Sequence, residues 1–237
     1  MIVFRHHNVM LPGSRQTRPG CPLTADREDV RQAVALLKEH IEPGSSVADI
    51  GCLEGGFSFE FARNGYITTG FEVRESNVAR CNALAAAMPG LPLWFEHENC
   101  WNIGEHGTFE AVYCGGLLYH LDYPATFLRL LAPVTSQLLI LNTHFAVESG
   151  VQQHTLSDIT EHEGYLGRWY TEFPDDETFA NREDYTLSSW DNRRSFWLLR
   201  SEIPKVLRDA GFHDVQDLGE SDDTTGYNRS TFTAKAG

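Results

Sequence analysis

Hydrophobic and polar positions along the chain follow two alternating periods, which predict strands and helices in turn. Compact runs of β-branched and aromatic residues predict strands at residues 47–50, 66–71, 93–95, 109–114 and 137–142. The segments between them repeat apolar residues every three or four positions and predict helices, the first from Thr24 to the Pro43-Gly44 pair. Such an alternation is typical of an α/β protein with a largely parallel sheet.

The same pattern continues to the end of the chain. Helices are predicted at residues 57–62 and 75–88, and from Asp122 to Pro133. A last helix is predicted over Ser195–Ala210, where one face carries the apolar residues Phe196, Leu199, Ile203, Val206 and Leu207. Two strands, near 212–218 and 229–234, are expected to follow it.

Two segments show no clear period. Residues 1–24 contain three prolines and are predicted to form an N-terminal arm, which either packs on the protein or is disordered. The stretch from about 143 to 194 is rich in aromatic residues, and loops of that length in compact domains are usually functional or disordered. We interpret it as a substrate lid inserted into a single domain that spans residues 25–237.

Composition narrows the possible partners and the cellular location. The formal charge of -14, from 19 basic and 33 acidic residues, repels a nucleic acid backbone and disfavours such a substrate. The five cysteines form no C-x-x-C pair and predict reduced thiols. Because no apolar run approaches the ~20 residues that span a bilayer and no signal peptide is evident, we expect a cytoplasmic protein without membrane contact.

The stretch Val47–Gly56 carries the strongest chemical signal in the sequence. A short apolar strand ends in Asp49, and Gly51, Gly55 and Gly56 then lead into the helix predicted at 57–62. A turn rich in glycine lets a ligand approach the backbone closely, and the first amides of the helix point toward it. We therefore expect a small polar ligand at this turn.

From Val47 to Asn142 the residues resemble a class I S-adenosylmethionine-dependent methyltransferase, and the last helix and two strands fit that family by topology. The resemblance implies a Rossmann-like, doubly wound sheet of seven strands, mostly parallel, with an antiparallel last strand. It implies S-adenosylmethionine as cofactor and S-adenosylhomocysteine as product. The run from Leu118 to Pro124 is similar to a Leu-x-His-x-x-x-Pro segment of the family.

The resemblance also assigns the cofactor-binding residues. The turn after the first strand holds the methionine part of the cofactor, the acid at the tip of the second strand binds the ribose hydroxyls, and a polar residue after the third strand reads the adenine. The fourth strand ends along the methionine part. On this pattern fall Asp49, Gly51, Cys52, Glu54, Gly55, Glu72, Asn99, Cys100, Cys114 and Gly115.

The turn departs from the family pattern at Leu53, where a glycine is usual. The same residue breaks the G-x-G-x-x-G fingerprint of nicotinamide-binding proteins, and no Gly-Lys-Ser/Thr of a phosphate loop follows. The assignment therefore depends on the acids at successive strand ends. Glu72 suits a ribose because one carboxylate can accept from two neighbouring hydroxyls, although either acid could instead cap a neighbouring helix.

Methyl transfer from a sulfonium is an in-line displacement in which alignment supplies much of the catalysis. A hydroxyl acceptor also benefits from a base that titrates near neutral pH, for which histidine is suited. His120 and His144 are the predicted catalytic residues because each follows a strand end, although packing explains either residue equally well.

The lid and its surroundings supply the predicted acceptor-binding residues, whose rings suit stacking and whose guanidinium suits an anion. These residues are Tyr119, His162, Arg168, Trp169, Tyr170 and Trp190. No metal is expected, because the histidines and acids of the lid lack a recognised ligand spacing.

Together these features predict methyl transfer to a small molecule, with a hydroxyl on a sugar or natural product as the first choice. Amine and carboxylate acceptors stay open. A tRNA-modifying methyltransferase and a non-catalytic, cofactor-sensing protein are the alternatives. We expect a monomer or a homodimer.

Overall fold

The computed structural model describes residues 2–150, 152–178, 180, 182–220 (backbone only at 220) and 228–237. Its strands are β1 (Met10–Leu11), β2 (Arg15–Gln16), β3 (Ser46–Ile50), β4 (Ile67–Glu72), β5 (Leu93–His97), β6 (Phe109–Gly115), β7 (Thr135–His144), β8 (Thr160–His162), β9 (Tyr165–Thr171), β10 (Arg194–Leu198), β11 (His213–Glu220) and β12 (Arg229–Lys235). Its α-helices are α1 (Glu28–His40), α2 (Gly56–Arg63), α3 (Glu75–Ala87), α4 (Pro124–Leu131) and α5 (Ile203–Asp209).

The main sheet has seven strands in the order β11-β12-β7-β6-β3-β4-β5. Strands β3, β4 and β5 pair in parallel, whereas β12 runs antiparallel to both β7 and β11. The predicted Rossmann-like sheet of seven strands with an antiparallel last strand is therefore confirmed. Every strand of this sheet lies where the hydrophobic pattern placed one, within a few residues.

The chain divides into two compact units, residues 1–113 and 114–237. In the first unit, Phe4 and Val9 of the arm are buried with Phe59 of α2 and Leu84 of α3. The described part of the arm is therefore packed, because its apolar side chains complete the cover of these two helices. The prediction of one domain over residues 25–237 stays a prediction.

The first helix starts later than predicted. Thr24 begins a short 3-10 turn, and α1 starts only at Glu28, after the extended residue Arg27. The Thr24 hydroxyl accepts from the amide of Asn8 at 3.0 Å, so it holds the arm and caps no helix. The predicted start was wrong because a polar side chain that suits a helix cap suits a long-range backbone contact equally well.

The prediction of a helix over Ser195–Ala210 was also wrong in its first half. Residues 194–198 form strand β10, which pairs with β9 so that Phe196 lies opposite Trp169. The helix α5 begins only at Ile203, with Pro204 in its first turn. Proline is tolerated in the first turn of a helix but not in its interior, so Pro204 marks the start of α5.

The inserted segment after β7 contains its own sheet, with the antiparallel order β10-β9-β8. We keep the name lid for residues 143–194, whose role as a substrate lid stays a prediction; positions 151, 179 and 181 of it lie outside the described residues. Gly167 is required in β9 because a Cβ there would lie 2.5 Å from the Phe196 ring. The side chains of this small sheet form two separate clusters, described below.

Candidate functional site

The turn after β3 is built from three residues with left-handed backbone angles. Gly51, Leu53 and Gly55 have φ values of 75°, 55° and 74°. The amides of Gly51 and Cys52 both donate to the carbonyl of Phe71, at 2.9 and 3.0 Å, which ties the turn to β4. Leu53 thus keeps the conformation that suits the usual glycine, at a cost of about 1–2 kcal/mol for an L-residue.

Two buried acids stand at the ends of β3 and β4. The Oδ2 atom of Asp49 accepts from the Ser58 hydroxyl at 2.6 Å. Burial is the main reason that the pKa of Asp49 rises to about 7, and the charge of Glu72 adds to the shift. Burial also raises the pKa of Glu72.

The carboxylate of Glu72 is held by backbone amides. Oε2 accepts from the amide of Leu53 at 3.0 Å, and Oε1 accepts from that of Arg74 at 2.8 Å. An ionised carboxylate has about four acceptor positions, so this geometry leaves capacity for the two hydroxyls of a ribose.

Glu54 has a different surrounding from the other predicted cofactor residues. Its side chain is fully buried, and its carboxylate accepts from the amides of Arg5, His6 and His7 at 2.7 to 2.9 Å. Arg80 adds an ion pair at 3.3 Å. The carboxylate therefore anchors the arm to the glycine turn, and its predicted contact with a cofactor stays a prediction.

The arm also caps helix α2. The Nδ1 atom of His7 accepts from the amide of Gly56 at 3.0 Å, and a Cβ at Gly56 would lie 2.6 Å from the His7 ring. Burial, followed by the charge of Arg27, lowers the pKa of His7 to about 4, so the ring is neutral and able to accept. This contact could not be predicted from the sequence, because His7 and Gly56 lie 49 positions apart.

The residues after β5 form a turn that shapes the predicted adenine region. The Oδ1 atom of Asn99 accepts from the amide of Trp101 at 3.2 Å and caps the 3-10 segment Cys100–His106. Glu98, which the sequence analysis did not select, accepts from the amide of Asn99 and the side chain of Asn102, each at 2.8 Å. Asn99 and Glu98 thus both accept hydrogen bonds within this turn, and the contact of Asn99 with adenine stays a prediction.

In the second unit, the exit of β6 lies against β7 and β12. Cys114 is buried and Gly115 ends the strand. Gly116 has a φ of 79° and donates its amide to the carbonyl of Asn142 at 2.9 Å. A Cβ at Gly116 would lie 3.4 Å from Nη2 of Arg229, a residue that the sequence analysis placed only in a strand.

His144, at the end of β7, lies in a cluster of rings that we call the aromatic cluster: Tyr119, His144, His154, Tyr170 and Trp197. Its ring stacks on Trp197 at 5.2 Å and meets the edge of Tyr119 at 4.6 Å. Burial, then the charge of Arg229, lowers the pKa of His144 to about 3. Among the described residues, the buried Nε1 atom of Trp197 has no hydrogen-bond partner.

His120, on the 3-10 turn after β6, contacts a carboxylate of the lid. Its Nδ1 atom lies 2.9 Å from Oε1 of Glu172, whose side chain is only 1% exposed. The Glu172 carboxylate also accepts from the hydroxyl of Ser195 at 2.8 Å and from the amide of Ser189 at 3.1 Å. The sequence analysis did not select Glu172, because it lies 52 positions from His120.

The structure divides the predicted acceptor-binding residues between different surroundings. Tyr119 and Tyr170 belong to the aromatic cluster, where Tyr170 lies 5.4 Å from Trp197. His162 and Trp169 instead pack with Phe196, each at 5.0 Å. These three residues form a second group, which we call the packing cluster.

Arg168 and Trp190 are the remaining predicted acceptor residues. The Arg168 guanidinium donates to the carbonyls of Ser157 and Glu148, at 3.1 and 3.3 Å. Trp190 lies under the guanidinium of Arg182 at 4.0 Å. Their part in acceptor binding stays a prediction.

A cavity of about 510 Å³ opens next to the aromatic cluster, within the second unit. It is lined by Phe145, Ala146, Val147, Glu148, Ser149, Arg200, Ser201, Pro204 and Asp217. Ala146 is shared with the core that contains Trp197 and Leu199. The cavity is large enough for part of a small molecule, but it contains none of the predicted catalytic residues.

The described residues contain no group of three or more His, Cys, Asp or Glu side chains arranged to hold a metal ion. Within the same part of the chain, no helix combines the length and apolarity needed to cross a membrane.

The strand order defines an α/β protein with the Rossmann-like sheet predicted from the sequence. Residues 48–137 match the model of a methyltransferase domain. The resemblance to a methyltransferase predicted from the sequence is thus confirmed over these residues. No curated protein matches the chain in sequence comparison.

Solved structures with the same fold have low sequence identity to this chain. The N-terminal domain of EvdMO1, in the presence of S-adenosylhomocysteine (SAH) and D-fucose, has a TM-score of 0.72 at 21% identity, over 95% of this chain and 88% of that one. The 1,6-didemethyltoxoflavin-N1-methyltransferase of Burkholderia thailandensis has a TM-score of 0.60 at 18% identity, over 90% and 80%. Magnesium protoporphyrin IX methyltransferase of Synechocystis PCC 6803 has a TM-score of 0.59 at 18% identity, over 89% and 83%.

Proposed function

We propose that this protein transfers a methyl group from S-adenosylmethionine to a hydroxyl of a small molecule, with a sugar or a sugar-bearing natural product as the acceptor class. The observation that carries the hydroxyl assignment is the His120 imidazole, fixed 2.9 Å from Glu172 at the exit of β6. A hydroxyl must lose its proton during transfer, and a positioned histidine base typically contributes about 10²- to 10⁴-fold.

The buried acids of the first unit, Asp49 and Glu72, fit S-adenosylmethionine as a ligand. When bound, this cofactor supplies a methyl group on a cationic sulfonium. Asp49 is buried beside Glu72 and its pKa is raised to about 7, a state that a cationic ligand relieves. Glu72, fixed by two amides, keeps acceptor capacity for hydroxyl groups.

Side chains of the second unit support the proposal that the acceptor has both a ring and hydroxyl groups. In the aromatic cluster, Tyr119 and Tyr170 are only partly buried and supply rings of the kind on which sugars stack, whereas Trp197 is buried behind them. With its pKa lowered to about 3, His144 is a weak base and contributes as a neutral ring, whereas His120 takes the proton. The EvdMO1 domain was crystallised with D-fucose, which supports a sugar as the class of acceptor.

The test combines cofactor calorimetry with an acceptor screen. Binding of S-adenosylmethionine and S-adenosylhomocysteine is expected, and its absence at high micromolar concentration would overturn the proposal. Deoxyhexoses, glycosides, phenols and amines are then incubated with the cofactor and analysed for a methylated mass. Methylation of glycosides is expected. Methylation of amines alone would refute the hydroxyl assignment, and binding without any turnover would favour the sensor alternative.

A further inference from the structure

The lid contributes a carboxylate directly to the histidine at the exit of β6. Glu172 immediately follows β9, and its Oε1 atom lies 2.9 Å from Nδ1 of His120. The Glu172 side chain is 1% exposed and that of His120 is 14% exposed. A carboxylate this deeply buried is costly unless several donors satisfy it.

Each oxygen of this carboxylate has a defined donor. Oε1 accepts from the hydroxyl of Ser195, at 2.8 Å, in addition to His120. Oε2 accepts from the backbone amide of Ser189 at 3.1 Å. The backbone amide cannot turn away, so it fixes which oxygen faces His120.

The histidine itself is held from two sides. Its amide donates to the carbonyl of Leu117 at 2.8 Å, and its carbonyl accepts from the side chain of Asn192 at 3.0 Å. Asn192 belongs to the lid, as Glu172 does. The lid therefore fixes both the backbone and the ring of His120.

This arrangement selects one form of the neutral imidazole. An ionised carboxylate only accepts hydrogen bonds, so Nδ1 of His120 must carry the proton when it bonds Glu172. The lone pair then lies on Nε2, which is the form that can accept a proton.

We infer that Glu172 is the positioning residue of His120 and holds it in the tautomer whose Nε2 accepts the acceptor's hydroxyl proton. The O–H bond of the acceptor breaks as its oxygen forms the bond to the methyl carbon, and the S–CH₃ bond breaks with its electron pair going to sulfur. This inference rests on the proposed function for the proton transfer, but the tautomer is a property of the protein alone.

The decisive variant is Glu172→Gln. The amide of Ser189 binds the glutamine oxygen, so the glutamine NH₂ faces Nδ1 of His120 and donates to it. The proton then moves to Nε2, and the base is lost. We expect turnover to fall roughly 10²- to 10⁴-fold, with little change in KM for the acceptor or in cofactor affinity.

The tautomer is measured without any acceptor, by nitrogen NMR of protein labelled at its histidine rings, at mildly alkaline pH. The signal of His120 is assigned by its loss in His120→Gln. We expect a proton on Nδ1 in the unmodified protein and on Nε2 in Glu172→Gln. The matched control is Glu161→Gln, which makes the same change at an exposed glutamate on β8 of the lid and should keep both the tautomer and the turnover.

The possible outcomes test separately whether Glu172 positions His120 and whether His120 is the base. A proton on Nε2 in the unmodified protein, or an unchanged tautomer in folded Glu172→Gln, would overturn the positioning role. The first of these results does not depend on whether the variant folds. A changed tautomer together with full turnover would uphold the positioning role and refute His120 as the base in the proposed function.

Discussion

Two acids of the first unit and the two predicted catalytic histidines of the second differ in the contacts that hold them. In the first unit, Glu54 and Glu72 accept from backbone amides of the arm and of the glycine turn. In the second, His120 and His144 contact side chains, namely the Glu172 carboxylate and the rings of the aromatic cluster. Backbone amides hold their positions with the fold, whereas side-chain contacts depend on which residues the lid brings together.

This difference indicates that the two units contribute to different parts of the proposed reaction. Carboxylates fixed by amides suit a ligand with constant chemistry, as a cofactor has. A histidine fixed by a lid carboxylate, next to a group of rings, suits a reaction on an acceptor that the lid must also recognise. Changes in the first unit should therefore alter cofactor binding, and changes in the second should alter turnover.

The largest effect is expected for His120→Gln. Loss of the base should lower kcat roughly 10²- to 10⁴-fold and leave the cofactor Kd unchanged, because the side chain belongs to the second unit. Initial rates and calorimetry measure the two quantities. The control is His213→Gln, an exposed histidine on β11. An equal loss of cofactor affinity in His120→Gln would break the comparison between the units.

A smaller effect is expected for Glu72→Gln. Hydrogen bonds to a charged group contribute about 1.5–3 kcal/mol, so cofactor affinity should fall roughly 10- to 100-fold. At saturating cofactor, kcat should stay within a few-fold of that of the unmodified protein. Glu96→Gln, on the exposed side of β5, is the matched control. Normal cofactor affinity in Glu72→Gln would place the ribose site elsewhere.

The pH dependence of cofactor affinity should report the titration of the Asp49 carboxyl. Its pKa is raised to about 7 in the free protein, so below that pH the carboxyl is protonated and a cationic ligand must displace the proton. Affinity should therefore rise with pH, by up to about tenfold per unit between about pH 5.5 and 7, and then level off. Calorimetry of Asp49→Asn is the check, since a slope that survives in this variant would assign the titration to another group.

The smallest effect is expected for Leu53→Gly. Its φ of 55° is strained for leucine, by about 1–2 kcal/mol. Glycine relieves the strain but gains freedom in the unfolded chain, by about 0.5–1 kcal/mol, so the free energy of unfolding should rise by about 1 kcal/mol or less.

Denaturant unfolding measures the effect of Leu53→Gly, with Gly55→Ala as the contrasting variant. Gly55→Ala should destabilise, because a Cβ there would lie 2.5 Å from the Phe95 ring. A destabilised Leu53→Gly variant would show that the leucine side chain contributes more than its strain costs.

Much of the first unit could be predicted from the sequence. Strands β3 to β6 follow the apolar runs, and Asp49 and Glu72 lie at strand ends next to the glycine turn. Local periodicity and turn chemistry decide these features, so a single stretch of chain contains the information. The role of Glu54 was not predictable, because its three amide donors come from residues nearly fifty positions earlier.

The second unit was predictable only in outline. Helical periodicity over residues 195–210 competed with strand pairing, and β9 decided the outcome for Phe196 and Trp197. In the same pairing, Trp197 and Arg168 lie on one face of the small sheet, and Phe196 and Trp169 lie on the other face. The predicted acceptor residues Trp169 and Tyr170, which are adjacent in the sequence, thereby belong to different clusters.

By itself, then, the sequence determined the individual strands of the main sheet, the glycine turn and the acids that follow its strands, because each depends on neighbouring residues. Only the tertiary structure decided that the arm closes on Glu54, that His144 is a neutral ring, and that Glu172 meets His120. The physical reason is distance along the chain: a hydrogen bond between residues 52 positions apart leaves no periodic trace in the sequence.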